Sequence, residues 1–376
     1  MRGTVKVAAG MLAGALLVSA SVGTAAASGD AVRTAVGDLV DRGGFPGAVA
    51  HVRNGDAVSR FGAGYANTAT GELAGPHHRF RIASNTKAFV GTVVLQLAGE
   101  GRLSLDDTIE RRLPGVVRGP GYQPEKITLR MLLNHTSGVH DPLDPHFFDP
   151  YLVDGNRAHI YTPAEVIRRS LVDPPSFAPG SKADYSNTGY LLLGKVIEKV
   201  TRNDVREEIQ HRLLDPLGLG RTYFPLWSPF LRGPHLHGYD LSKPVKDMTV
   251  FSPSYDWTAG AMVSTVDDLA TFHRALLAGR LLKPSEQAEL KRLVPNDEGG
   301  AYGAGIETIN VPCPGGTKTI WGNTGAGPGF YSVSMSSGDG SEQLVLALNV
   351  YDLAADVHGG KRVPKSPMPA ITAALC

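Results

Sequence analysis

Ser84 and Lys87 stand three residues apart in RIASNTKAFVGTVVLQLAGEG (residues 81–101). On a helix that spacing puts both side chains on one face, about one turn from each other. Phe89, Val90, Val93, Val94 and Leu97 make the rest of the segment apolar over a wide stripe, which predicts burial. Burial and the positive end of the helix dipole both lower a lysine's pKa. A neutral amine beside a serine hydroxyl is a workable general base for a nucleophile. The same residues also fit a serine that caps the helix and a lysine that reaches solvent. No other serine of the chain has lysine three residues on, but partners elsewhere have to decide between the two readings.

Two further stretches offer partners. In PGSKADYSNTGYLLLG, Tyr185 and Asn187 are two apart just before an apolar helix, so an extended turn would point a phenol and an amide the same way. A phenolate near an ammonium can shuttle protons, and an amide can hold a substrate's acyl chain; equally, Asn187 can cap the helix with Tyr185 packed beside it. WGNTGAGPGF lies between two predicted strands. Thr324 and Gly325 at a strand edge let backbone approach a ligand closely, and the N–H of Ala326 with that of Ser84 would make an oxyanion hole. The plain alternative is a glycine-rich turn.

The order S-x-x-K, Y-x-N and T-G, with gaps of roughly 100 and 140 residues, resembles the serine β-lactamase and penicillin-binding protein superfamily, and within it class C β-lactamases and D-alanyl-D-alanine carboxypeptidases. The likeness extends through PGAVAHV, LLNHTSG, FAPGSKADYSNTGYLLLG and WTAGAMVSTVDDLATF. The resemblance implies that Ser84 is the nucleophile that becomes acylated, that Lys87 activates it and that Tyr185 carries the proton to the leaving group. It implies further that Asn187 binds the substrate amide, and that Thr324, Gly325 and Ala326 position the carbonyl. Trp257 is similar to an aromatic residue of the family's cleft, and fits core packing equally well. No cofactor and no metal are implied.

Asn323 departs from the family, which usually has Lys or His there. That cation faces the substrate's carboxylate, so its loss predicts weaker binding of anionic substrates. The preceding strand offers Glu307 and no base, and Lys318 is the nearest lysine in sequence. The expected activity is that of a D-alanyl-D-alanine carboxypeptidase- or peptidase-like serine hydrolase on a peptide, a peptidoglycan-like chain or a small ester or amide. The alternative is an esterase or amide/peptide acyl transferase on uncharged substrates, to which Asn323 gives weight, while it counts against β-lactams. A peptidoglycan-binding homologue without turnover is the competing expectation.

Positioning these residues requires strands at both ends of the chain and helices between. Val32, Val36, Leu39 and Val40 share one helical face, and Asn54-Gly55 divides two strand-like runs as a hairpin turn does. Arg79 to Ile82 should extend into Ser84. ITLRMLLNHTSG, TPAEVIRRSLV with Thr162 as cap, NTGYLLLGKVIEKVTR, DVREEIQHRLLDPLGLG and TVDDLATFHRALLAG capped by Thr265 read as helices. YGAGIETINV, KTIWGN, GFYSVSMSS and EQLVLALNV read as strands, and PMPAITAALC as a closing helix. The fold class is therefore mixed α+β, an antiparallel sheet flanked by terminal helices with an inserted all-α subdomain. Residues 28–83 and 262–376 should form the α/β lobe and 84–261 the helical lobe.

The first 27 residues place Arg2 and Lys6 before an apolar run ending in small residues, the layout of a secretory signal peptide cut near Ala27. Secretion and a mature chain without membrane insertion follow as expectations, with a single copy as the expected assembly. Cys313 and Cys376 are the only cysteines, and an exported chain meets oxidising conditions, so they are expected to pair. The loop so closed would be worth about 4 kcal/mol in the chain-entropy model. A net charge of +1 with scattered lysines and arginines excludes the basic footprint of nucleic-acid binding. No G-x-S-x-G is present, the histidines around NHTSGVHDPLDPHFF and at His235 and His237 lack a metal framework, and GAGPG lacks a dinucleotide-binding context.

Overall fold

A computed structural model describes residues 20–141, 145–241, 244–297, 299–353, 355 and 362–376. Most of the segment read as a signal peptide, residues 1–19, lies outside the described residues, and a helix occupies Ala20–Asp41, spanning the expected cleavage point. Among the described residues no helix is long and apolar enough to cross a membrane.

The strands are β1 (Gly47–Asn54), β2 (Ala57–Asn67), β3 (Glu72–Leu73), β4 (Phe80–Arg81), β5 (Tyr239–Asp240), β6 (Lys246–Asp247), β7 (Val263–Ser264), β8 (Val294–Pro295), β9 (Ala301–Tyr302), β10 (Glu307–Cys313), β11 (Gly316–Gly327), β12 (Phe330–Ser336) and β13 (Glu342–Leu348). Nine of them make one antiparallel sheet in the order β3-β2-β1-β13-β12-β11-β10-β9-β8. The first and last parts of the chain meet where β1 pairs β13, Ala48 opposite Leu348. The β1–β2 hairpin closes at Asn54 opposite Ala57, with Gly55 at φ +59° in the turn, as the Asn-Gly pair predicts.

Alternation along the strands sorts two cores. Leu344, Leu346 and Leu348 of β13 pack with Val32, Val36, Leu39, Ile371 and Leu375 of the two terminal helices. Val345 and Ala347 face the other way, into a core shared with Leu269, Phe272 and Leu276 of the Val266–Leu277 helix and with the helical region. Period-2 patterning with both faces apolar requires helices on both sides. Cys313 and Cys376 are joined, tying the end of β10 to the carboxyl-terminal helix Met368–Leu375.

The capping threonines act as their positions predict: Thr162 accepts from the N–H of Glu165 and Thr265 from that of Asp268. One element runs longer than expected. The glycine-rich WGNTGAG is the second half of β11, paired with β12 from Trp321 opposite Ser336 to Gly327 opposite Phe330. Glycines weaken isolated strands, but here a Cβ would stand 1.9 Å from Ser334 O at Gly322 and 2.2 Å from Ile82 O at Gly325.

Candidate active site

Ser84 lies in a one-turn 3-10 helix, Ala83–Asn85, and the α-helix begins only at Thr86. Neither start is capped by a side chain, so Ser84 Oγ is free for other partners. The turn is anchored on every side. Ala83 has φ +44°, a left-handed conformation that a residue with a Cβ adopts only when its surroundings enforce it. Asn85 Nδ2 donates to Ser332 Oγ of β12 at 3.0 Å, and Ser332 Oγ donates to Ile82 O at 3.1 Å. A Cβ on Gly325 would stand 2.2 Å from Ile82 O, so β11 meets the serine turn backbone to backbone and only glycine fits.

Lys87 is 2% exposed. Its Nζ donates to Ser84 Oγ at 3.1 Å, to Asn187 Oδ1 at 2.7 Å and to the carbonyl of Ala259 at 2.8 Å. These are all three N–H bonds of an ammonium. Burial lowers its pKa to about 8, against the opposing pull of Asp256, Asp141 and Glu307. Once it loses a proton, two N–H groups suffice for Asn187 and Ala259, and the lone pair is left facing Ser84 Oγ.

Tyr185 OH donates to Ser84 Oγ at 2.7 Å. Burial raises its pKa well above the ordinary phenol value, so the resting side chain is a neutral phenol and not the phenolate envisaged from sequence. Its ring stacks on His135 with centroids 4.5 Å apart, and Lys87 Nζ lies 4.7 Å from the same ring. His135 is 5% exposed and burial holds it neutral, near 3. Its Nδ1 accepts from the N–H of Ser186 at 3.2 Å, fixing the turn on which Tyr185 sits. Ser186, not Asn187, caps the following helix, accepting from the N–H of Gly189.

The cleft, about 310 Å3 in volume, is lined by Ser84, Lys87, Tyr185, Asn187, Asn323, Thr324 and Ala326. Residues from three remote parts of the sequence thus meet on one cavity. β10 pairs β11 only as far as Glu307 opposite Gly322, so residues 323–327 present a strand edge to the cleft. The N–H of Thr324 points to this edge, donating to Glu307 Oε1 at 2.6 Å. Residues two apart on a strand aim their N–H groups the same way, which directs the N–H of Ala326 to the same edge, on the cleft that Ser84 also lines.

Trp257 is not brought to the cavity. It is 2% exposed and packs against Gly194, with Lys195 Nζ 5.2 Å from its ring. The aromatic groups that do line the cleft are Tyr185, Tyr190, Tyr302 and Tyr351. Lys318 is occupied by Glu342 in an ion pair on the sheet. Besides Lys87, the basic residue that lines the cleft is the exposed Arg362, which sequence proximity did not reveal because it follows β13.

Two acidic residues also line the cleft. Glu307 Oε1 accepts from both the N–H and, at 2.8 Å, the Oγ1 of Thr324. Asp141 Oδ2 accepts from the backbone N–H of Asn187 at 3.2 Å and from its side-chain Nδ2 at 3.0 Å. Burial raises Asp141 to about 7. Asp141 was missed because it stands in a histidine-rich loop, the sole signal being its place just after HTSG. Among the described residues no cluster suited to a metal ion is found.

The family model described as Beta-lactamase matches residues 32–350. A D-stereospecific amidohydrolase from Streptomyces sp. is 35% identical, with a TM-score of 0.81 covering 93% of this chain and 98% of that one. The D-amino acid amidase of Ochrobactrum anthropi SV3, complexed with L-phenylalanine, is 26% identical with a TM-score of 0.77, covering 92% and 97%. Protein flp of Staphylococcus aureus is 33% identical over 233 residues, 61% of this chain; the match spans 45% of that protein, under half its length.

Proposed function

The chain belongs to the beta-lactamase family, a family of serine hydrolases, and from that premise we propose that it cleaves amides, with D-aminoacyl amides as the preferred class, through an acyl-serine intermediate on Ser84. The observation that carries the reading is Ser84 Oγ held between Lys87 Nζ at 3.1 Å and Tyr185 OH at 2.7 Å. Similarity to the D-stereospecific amidohydrolase and the D-amino acid amidase supports the substrate class.

In this reading neutral Lys87 takes the proton of Ser84 as Oγ attacks the carbonyl carbon. The N–H groups of Ser84 and Ala326 hold the oxyanion. Tyr185 gives its proton to the departing amine and regains one from Lys87, which returns the corner to its starting state. Water then attacks the ester by the same path in reverse. Asn187, held by Lys87 and Asp141, keeps the acyl part in place.

Amide hydrolysis is favoured over D-alanyl-D-alanine carboxypeptidase or β-lactamase action because Asn323 stands where the family's cation meets a carboxylate. Export is proposed on the amino-terminal pattern, with the disulfide in support.

The test is a panel of D- and L-phenylalanine amide, a D-Ala-D-Ala peptide and nitrocefin, alongside intact-mass analysis after a fluorophosphonate. Hydrolysis of the D-amide with an adduct on Ser84 is expected. No adduct and no turnover of any member would refute the enzyme, leaving a binding protein; faster release of D-alanine than of ammonia would refute the amide preference.

A further inference from the structure

Thr324 presents two donors to the cleft edge, and one carboxylate oxygen of its own chain occupies both. Glu307 Oε1 accepts from Thr324 N at 2.6 Å and from Thr324 Oγ1 at 2.8 Å. Glu307 is the first residue of β10, placed opposite Gly322. Its carboxylate therefore lies beside Asn323, Thr324 and the oxyanion-forming edge, not at a remote point of the cleft. Asn323, 6% exposed, donates from Nδ2 to Gly305 O at 3.1 Å. Both donors of Thr324 are thus engaged by a carboxylate, and neither residue brings a positive charge to an anion.

We propose that Glu307 is a specificity-determining residue that rejects leaving groups bearing a carboxylate, by holding a negative charge on the hydroxyl and amide that such a carboxylate would need. Discrimination of this kind works by a repulsive element set against the wrong partner as much as by attraction to the right one. A carboxylate approaching Thr324 meets a like charge in a partly desolvated cleft, where screening is weaker than in water. Ammonia, an alcohol or an amine leaving the acyl-enzyme meets no such cost. Arg362 is the countervailing group. It also lines the cleft, but its side chain is exposed, so solvent screens it more than the half-buried Glu307. This inference rests on the acyl-serine reading of Ser84 and sharpens its leaving-group side.

The experiment compares the full chain with Glu307→Gln and Glu307→Ala on two matched pairs. One is D-phenylalanyl-D-alanine amide against D-phenylalanyl-D-alanine, read as release of D-phenylalanine. The other is phenyl acetate against 3-acetoxybenzoate, which poses the charge question with no D-amino acid. In the wild type the neutral member should lead by kcat/KM, and Glu307→Gln should shrink that ratio about tenfold or more, chiefly through KM of the acid. Added salt should narrow the ratio in the wild type and leave it flat in the variants. An Arg362→Gln variant should widen the ratio less than Glu307→Gln narrows it.

A ratio unchanged in both Glu307 variants overturns the proposal, as does a wild type that prefers the acids and loses them in Arg362→Gln. Turnover of the aryl esters without the peptides would refute the D-aminoacyl reading alone and still decide the role of Glu307.

Discussion

On the serine side of the cleft, Lys87 places each of its three N–H bonds on a protein acceptor, and Ser84 Oγ has a partner on either flank. On the strand side, Asn323 buries an amide oxygen that has no hydrogen-bond partner among the described residues, and Thr324 is engaged by an acidic residue of the next strand. The first wall is held in one geometry by buried, mutually bonded groups. The second carries an uncharged amide and an acidic residue. The proposed reaction and the proposed substrate choice therefore sit on separate walls: one on a desolvated, fully bonded corner, the other on the charges that edge the opposite strand.

That contrast breaks most directly at the corner. Ser84→Ala, and independently Lys87→Met, should each lower kcat/KM on the order of 10^4-fold or more, with loss of the fluorophosphonate adduct for the serine variant. Survival of either variant within tenfold of wild type would mean that the corner is structural. Gly325→Ala joins the two walls: a Cβ placed 2.2 Å from Ile82 O should force β11 off the serine turn. Calorimetry should show a loss of roughly 1–3 kcal/mol, with kcat falling more than stability alone explains. An unaffected kcat would show that the walls tolerate separation.

Titration sharpens the same comparison. Lys87 must be neutral to act as base, and burial sets it at about 8, so kcat/KM for a neutral amide should climb with pH up to about 8 and level off above. A profile flat from pH 6 to 9 would remove Lys87 as the base. Asp141 gives the opposite sign in stability. The fold keeps its proton up to about 7, whereas an unfolded chain releases it near 3.9, so from about pH 4 to 7 the folded state binds more protons and stability falls as pH rises. Asn at position 141 carries no such proton, and Asp141→Asn should therefore gain roughly 1–3 kcal/mol on the wild type between pH 5 and 8. A constant difference across that range would place the titration elsewhere.

The smallest expected effect is Asn323→His. It should raise turnover of carboxylate-bearing substrates a few-fold more than that of neutral esters, and more clearly in a Glu307→Gln background. Equal changes for both substrate classes would refute the charge account of the strand wall.

Much of this was legible in advance because it is carried by local chemistry. The Asn54-Gly55 turn, the Thr162 and Thr265 caps and the apolar faces of the terminal helices follow from short-range rules, and the structure has them. What failed did so where tertiary contact overrides propensity. WGNTGAG reads as a turn by its glycines, yet it is strand paired with β12, its glycines demanded by close backbone approach: a Cβ would stand 2.2 Å from Ile82 O at Gly325 and 1.9 Å from Ser334 O at Gly322. Trp257 reads as cleft or core with equal ease, since burial is a property of the neighbours and not of the indole. Asp141 and Arg362 carry no spacing signal that ties them to Ser84, and only the folded chain brings them to it.

The sequence by itself determined the candidate set: Ser84, Lys87, Tyr185 and Asn187 stand out by type, order and spacing, and short-range rules put Ser84 near Lys87 in one helical segment and Tyr185 near Asn187 at one turn. Only the tertiary structure decided the charge each of them carries and the company they keep. Desolvation and the field of groups remote in sequence set a protonation state, and those depend on the folded cleft: Lys87 drawn down toward neutrality, Tyr185 kept as a phenol, and Glu307 seated on both donors of Thr324.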